Sequence, residues 1–230
     1  MRVRDLNWMQ LEAYLSGDDR IVLPFGSTEQ HAYLSLETDN ILAERASVEA
    51  AEPLGVPVLP VLPFGVTGFT AYPGSPTLSE FTLVSVLSDL VDSLVGQGFA
   101  RILVVNGHGG NTEPGKSWTQ SRLDTAVIWH ELWEGRPDEI AAAIDPDYDH
   151  ASWSENFPWT RLSGVVIPAQ RKPPVEWPAD GNPGPGGKPS AMGRSAGSIS
   201  GPRKTKAGSG RPQYRRFVSV SRAGRYRRGG

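Results

Sequence analysis

The sequence predicts an α/β fold on a mostly parallel sheet, and three observations carry that prediction. Two apolar runs, Ile21–Phe25 and Ile102–Val105, contain no charged or hydroxylated residue and read as strands covered on both faces. Segments between and after them repeat their apolar residues at helical spacing, which gives the strand–helix alternation of a parallel α/β sheet. Each run also passes directly into a glycine-bearing loop that holds histidine, and on open parallel sheets sites gather at the carboxyl ends of the strands.

In chain order, Leu6–Leu15 predicts a short amphipathic helix. Arg20–Phe25 is a buried first strand, followed by a loop over 26–36. From Asp39 onward, Ile41, Leu42, Ala46, Ala50 and Leu54 share one helix face, which Gly55 closes. Val56–Leu62 reads as a second strand interrupted by Pro60, and a Gly/Pro-rich loop over 63–76 contains a turn at Tyr72-Pro73-Gly74. Thr77 with Glu80 has the spacing of a capping box. Leu83, Val86, Leu87, Leu90, Val91 and Leu94 then mark the buried stripe of the clearest helix, which ends at Gly96 and Gly98. Arg101–Val105 is the next strand. Thr112–Leu123 is a weak helix with Pro114 and Gly115 near its start, Ala126–Trp133 a fourth strand, and Pro137–Ile144 a short helix with an acidic outer face. Asp149–Glu155 reads as the start of one more helix, with His150 and Glu155 about one and a half turns apart.

A formal net charge of −2 hides a strong asymmetry. Residues 1–170 carry 9 Lys/Arg against 23 Asp/Glu, net −14, whereas residues 171–230 carry 14 against 2, net +12. The basic stretch holds 12 Gly and 8 Pro among 60 residues, a composition that buries too little surface to offset ordering entropy. The expected division is a folded domain over 1–168 and a basic tail over 169–230, either disordered or the product of an altered reading frame. No nucleic-acid-binding fold or regular aromatic interleaving accompanies that charge, so nucleic acid is not the expected partner. The chain has no cysteine, which excludes a disulfide framework and a thiolate metal site; any metal must be held by His and carboxylate. Met1–Asp18 lacks the apolar centre of a signal peptide, and no run approaches the ~20 apolar residues of a membrane span. A soluble cytoplasmic protein is expected.

The residues that carry chemistry lie in Gly26-Ser27-Thr28-Glu29-Gln30-His31, in Thr38-Asp39 and in Asn106-Gly107-His108-Gly109-Gly110-Asn111. Glu29 and His31 are two apart after a strand, so an extended continuation would point both to one side. Taken singly, each has an ordinary reading: Asp39 as a helix N-cap, His108 as a loop histidine, His150 and Glu155 as a helix start. Taken together, Glu29, His31, Asp39, His108 and Glu155 are hard or borderline metal donors at or near strand ends, and their combination predicts a metal site.

These motifs, with the loop Tyr72-Pro73-Gly74-Ser75, resemble the creatininase (creatinine amidohydrolase) family over residues ~20 to ~160. The resemblance implies a three-layer α/β/α sandwich, a homo-oligomer that is often hexameric, and hydrolysis of cyclic or linear amide bonds by two divalent ions, zinc, manganese or iron. Carried over by motif, Glu29 and His108 would hold one ion and His31 the other, with Asp39 bridging. Creatininase itself has a glutamate two residues after the loop histidine, where this chain has Gly110. Relatives with this same loop carry a later His and Glu, which resemble His150 and Glu155. The resemblance therefore implies Glu155 as the replacement ligand and His150 as the proton-transfer residue, with Tyr72 and Trp153 as candidates for the wall of a small-molecule pocket. Most relatives read Gly-Pro-His after the first histidine. This chain reads Ala32-Tyr33-Leu34 and is one residue shorter before Asp39. The leading activity is cleavage of the C–N bond of a cyclic amide. A second reading keeps the site but opens a cyclic ketone or lactone of a sugar or inositol derivative, and a third is an inactive relative or a protein binding through its tail.

Overall fold

The structure is a computed structural model that describes residues 1–122, 126–133, 140, 143–145 and 149–169. The expected basic tail, and most of the helix expected at 137–144, lie outside the described residues.

Among the described residues, three parallel strands form the sheet in the order β1-β2-β3: β1 (Arg20–Phe25), β2 (Arg101–Asn106) and β3 (Ala126–Glu131). Register aligns Phe25 with Asn106 and Asn106 with Glu131, so the three carboxyl ends finish level and the loops that leave them start side by side. The α-helices α1 (Trp8–Leu15), α2 (Thr38–Ala51), α3 (Glu80–Gly96) and α4 (Thr112–Ser121) accompany it among the described residues.

Alternation along the strands sorts side chains to two faces. Ile21, Leu23, Phe25, Ile102, Val104 and Trp129 face α3 and α4, where Leu83, Leu87, Val91, Leu94 and Trp118 complete the main core. Val22 and Val105 face the other way, against Ala51, Val56 and Val58 beside α2. Helices therefore lie on both sides of the sheet, the three-layer arrangement expected. Leu83, Leu87 and Val91 have no solvent exposure, and burial of each contributes about 1.5–3 kcal/mol.

Several local expectations are corrected. The segment 56–62 is not a regular strand: it follows β1 through isolated parallel bridges at Val58 and Leu62, because Pro57 and Pro60 supply no N–H to a ladder. Thr77 does not cap α3. Ser79 does, accepting from the Thr82 N–H at 3.1 Å, while Thr77 Oγ1 accepts from the Thr67 N–H at 3.0 Å. The buried positions of α2 are Thr38, Asp39, Asn40, Leu42, Ala43, Ser47 and Ala51, of which only Leu42 belongs to the expected stripe. Ala46, Ala50 and Leu54 instead line a groove of about 720 Å³ beside Leu103, Ile128 and Leu132. Asp149–Glu155 is a turn followed by a 3₁₀ segment at Trp153–Glu155, with Ala151 at φ 58°, a left-handed conformation that no helix contains. Among the described residues, no helix is long and apolar enough to cross a membrane.

Candidate metal centre

The loop after β1 does not continue the strand, yet it buries Glu29 and His31 to 1% exposure each. Its shape is held from outside. The Gln30 N–H donates to Ser75 Oγ at 3.0 Å, which ties the loop to the Tyr72–Ser75 turn, and the Glu29 N–H donates to the Leu36 carbonyl at 3.0 Å. Asp39 sits in the first turn of α2 and is not its N-cap, a position taken by Glu37 without a side-chain cap bond. The helix start presses against the β2 loop at Gly107, where a Cβ would stand 2.7 Å from the Asp39 carbonyl oxygen. Only glycine permits that approach.

Asp39 consequently meets both histidines. Its Oδ1 is 3.0 Å from His31 Nε2 and its Oδ2 is 2.9 Å from His108 Nδ1. Glu155 Oε2 lies 3.9 Å from His31 Nε2, and Glu29 Oε1 lies 3.5 Å from His108 Nδ1. Two donor triads result, Glu29–Asp39–His108 and His31–Asp39–Glu155, each with its atoms within 4.8 Å of one another and with Asp39 common to both. A third triad of the same compactness joins Glu29, His31 and His150.

Backbone carbonyls fix the histidine tautomers. His31 Nδ1 lies 3.1 Å from the Glu29 carbonyl and His108 Nε2 lies 2.8 Å from the Val66 carbonyl. A carbonyl only accepts, so each of these nitrogens carries the proton, and the opposite nitrogen turns a lone pair toward carboxylates. In these neutral tautomers, the buried atoms Glu29 Oε2, His31 Nε2 and Asp39 Oδ2 have no hydrogen-bond partner. Buried acceptors facing one another are unfavourable unless a cation lies among them, so the donor set fits divalent metal. Without ions, protons fill that need. Burial alone would lower the His31 pKa, but the charge and hydrogen bond of Asp39, with Glu155 and Glu29, override it and raise it to about 9. His108 is pushed up to about 10, with Glu29 and Asp39 again outweighing burial. Burial would raise Asp39, but the two imidazoles hold it well below the usual carboxylate range.

His150 titrates the other way. Burial and the neighbouring His31 lower it to about 4, only partly opposed by Glu29. Its Nε2 donates to the Gln30 carbonyl at 2.8 Å, and its ring lies 4.4 Å from that of His31, centroid to centroid. The structure thus brings Glu29, His31, Asp39, His108, Glu155 and His150 together. Tyr72 stands one ring away, edge-on to Phe69 at 6.0 Å, and Phe69 itself stacks on His150 at 4.8 Å. Trp153 is 43% exposed. Phe69 was missed by the sequence reading, because a phenylalanine in a Gly/Pro-rich loop carries no chemical signal until its neighbour is known.

The fold and site together define an α/β domain that carries a candidate metal centre at the carboxyl ends of its parallel strands, where such sheets place their sites. This chain belongs to the creatininase family, whose profile, described as creatinine amidohydrolase, matches residues 4–219. Family members are hydrolases. The chain is 30% identical to the creatinine amidohydrolase of Pseudomonas putida over 118 residues, 48% of this chain and 45% of that protein. It is 34% identical over 144 residues, 59% of this chain and 54% of the other, to the mycofactocin precursor peptide peptidase of Mycolicibacterium smegmatis. The matched part therefore spans about half the length of these curated relatives. Among solved structures, a mutant creatininase of the Zn-Zn type superposes with a TM-score of 0.63 at 23% identity, covering 77% of this chain and 80% of that one.

Proposed function

We propose that this chain hydrolyses an amide C–N bond with two divalent ions, one held by Glu29 and His108, the other by His31 and Glu155, and both by Asp39. The observation that carries this reading is the pair of donor triads sharing Asp39, with lone pairs turned inward and unpartnered. Zinc and manganese both suit imidazole with carboxylate. When bound, the ions supply Lewis acidity, bringing the pKa of a water toward about 7 and polarising a substrate carbonyl.

The chain's own residues do the rest. Nδ1–H of His31 and Nε2–H of His108 stay committed to backbone carbonyls, which keeps their other nitrogens basic toward the ions. His150 is neutral near pH 7 and holds its Nε2 proton on the Gln30 carbonyl, which leaves Nδ1 as the nitrogen that takes a proton from water and passes it to the departing amine. Phe69 covers one face of that imidazole and keeps water from it. A cyclic amide is the leading substrate. The likeness to a peptide peptidase supports a linear peptide bond as the second reading, since the same attack on a carbonyl and the same protonation of nitrogen serve both.

The test is metal analysis and turnover of the full chain, wild type and Asp39→Asn, with creatinine, a panel of short peptides and oxidised inositols. Two ions per wild-type chain, loss of both in Asp39→Asn, and turnover of an amide support the reading. A wild type that binds no ion, or an Asp39→Asn variant with undiminished turnover, refutes it; turnover of the inositols alone replaces the amide by a ketone.

A further inference from the structure

Behind the cluster, a hydrogen-bond circuit ends on a buried carboxylate that the proposed chemistry does not use. Glu131 is the last residue of β3, buried and in register with Asn106. One of its oxygens accepts from the Trp129 indole N–H, and the other accepts from Asn106 Nδ2 at 2.7 Å. Asn106 Nδ2 also donates to the His108 carbonyl at 2.7 Å, and its Oδ1 accepts from the His108 N–H at 3.3 Å and from Asn111 Nδ2 at 3.2 Å. All the hydrogen-bonding capacity of the Asn106 side chain is thereby used, and half of it grips the main chain of His108 from both sides. Asn111 closes the circuit: its Oδ1 accepts from the Val66 N–H at 3.0 Å, and the Val66 carbonyl accepts from His108 Nε2 at 2.8 Å.

Glu131 joins the His108 main chain in deciding the direction of these bonds. A side-chain amide reverses end for end readily unless its neighbours distinguish oxygen from nitrogen. The indole N–H only donates, so one Glu131 oxygen is committed to it, and the other calls for a nitrogen at Asn106. Reversing Asn106 would set its NH₂ against the His108 N–H and the Asn111 NH₂, donor against donor.

We propose that Glu131 is a positioning residue, fixing the Asn106 amide and through it the His108 main chain, so that His108 Nδ1 faces Glu29 and Asp39. This rests on the metal-dependent function proposed above, with Glu131 acting on one of the two ion sites and touching neither.

An exchange of the two functional groups tests it. Asn106→Asp sets carboxylate against carboxylate, and Glu131→Met keeps volume but offers no acceptor. In the double variant Asn106→Asp/Glu131→Gln, the amide now at position 131 accepts from Trp129 through its oxygen and donates through its nitrogen to the carboxylate now at position 106. That carboxylate still accepts from the His108 N–H and from Asn111 but no longer donates to the His108 carbonyl, so the exchange relieves the clash at Glu131 and restores the grip on His108 only in part. Metal-free full chains are titrated with Co²⁺, followed by visible absorption, with thermal melting alongside. The expected result is two Co²⁺ in the wild type and one of them weakened about 10–100-fold in Asn106→Asp and in Glu131→Met, the other changed little. The exchange should bind that weakened ion at least about fivefold tighter than Asn106→Asp does, a recovery that a space-filling role would not produce. Single variants that bind both ions like wild type, or an exchange no better than Asn106→Asp, overturn the positioning role while leaving the metal site standing. Absence of Co²⁺ uptake by the wild type overturns the metal site itself, and this inference with it. A single variant that no longer folds is still judged by whether the exchange restores it.

Discussion

Gly110→Ala is the sharpest single test of how the His108 loop is built. A Cβ at position 110 would lie 1.9 Å from the Val66 carbonyl oxygen, 2.6 Å from His108 Nε2 and 3.1 Å from the Val66 carbonyl carbon. Ordinary contacts begin near 3.4 Å, so one of the two loops must move by more than an ångström. The atoms in the way are the partners of one hydrogen bond, His108 Nε2 to Val66 O at 2.8 Å, and separating them breaks it. Overpacking costs about 1–3 kcal/mol. Stranding a buried carbonyl and a ring N–H costs about 1–3 kcal/mol more, so the metal-free variant should be about 2–6 kcal/mol less stable in urea unfolding. The freed imidazole also loses the partner that fixes its tautomer, and one of two Zn²⁺ or Co²⁺ equivalents should weaken by about 10–100-fold. Stability within about 0.5 kcal/mol of wild type, together with unchanged metal affinity, would refute the reasoning. The same obstruction predicts that Gly110→Glu, which restores the creatininase residue, does not rescue Glu155→Gln.

The remaining predictions concern the proton-transfer residue, the pH response and a strained backbone position. His150→Ala should lower kcat by about 10²–10⁴-fold while both ions remain, measured by steady-state turnover and metal analysis. In the metal-free fold His31 and His108 are raised from 6.5 to about 9 and about 10, so the stability they add is full below pH 6.5 and is lost as pH rises through 9 and 10. Thermal melts should therefore fall between about pH 7 and pH 10 without ions and stay level with them; a flat metal-free profile would show that the imidazoles do not carry those protons. By the same logic, Zn²⁺ uptake at pH 7 should release protons, read from calorimetry in buffers of different ionisation enthalpy. Ala32 holds φ at 52°, and Ala32→Gly should raise stability by about 0.5–1 kcal/mol, or roughly 1–4 °C in Tm.

How far the sequence speaks varies element by element. Arg20–Phe25 and the strand beginning at Arg101 were legible to within a residue, because a strand buried on both faces excludes polar residues throughout. The helix ending at Gly96 was legible from spacing, with Leu83, Leu87, Val91 and Leu94 buried as expected, but Val86 of the expected stripe is only half-buried and Leu90 is exposed. The second strand was not, because apolar content at 56–62 says nothing of whether Pro57 and Pro60 still allow a ladder. Nor was the buried face of α2, since Ala43 and Ser47 pack closely there while the larger Leu54 is left beside the groove. The segment holding His150 looked helical because its spacing is compatible with one. The turn at Ala151 is held by a contact that spacing does not encode, its N–H donating to Glu155 Oε2 at 2.6 Å.

From the sequence alone came the donor inventory and its family: which side chains could bind a metal, and that they follow buried parallel strands, since both follow from residue type and local order. Only the tertiary structure decided which donors meet. Asp39 reaches both His31 and His108 because α2 closes against Gly107, and Gly110 is barred from holding a side chain by a carbonyl 44 positions earlier in the chain. Such approaches depend on how separate elements pack, and no local pattern of residues specifies a distance between segments that are remote in sequence.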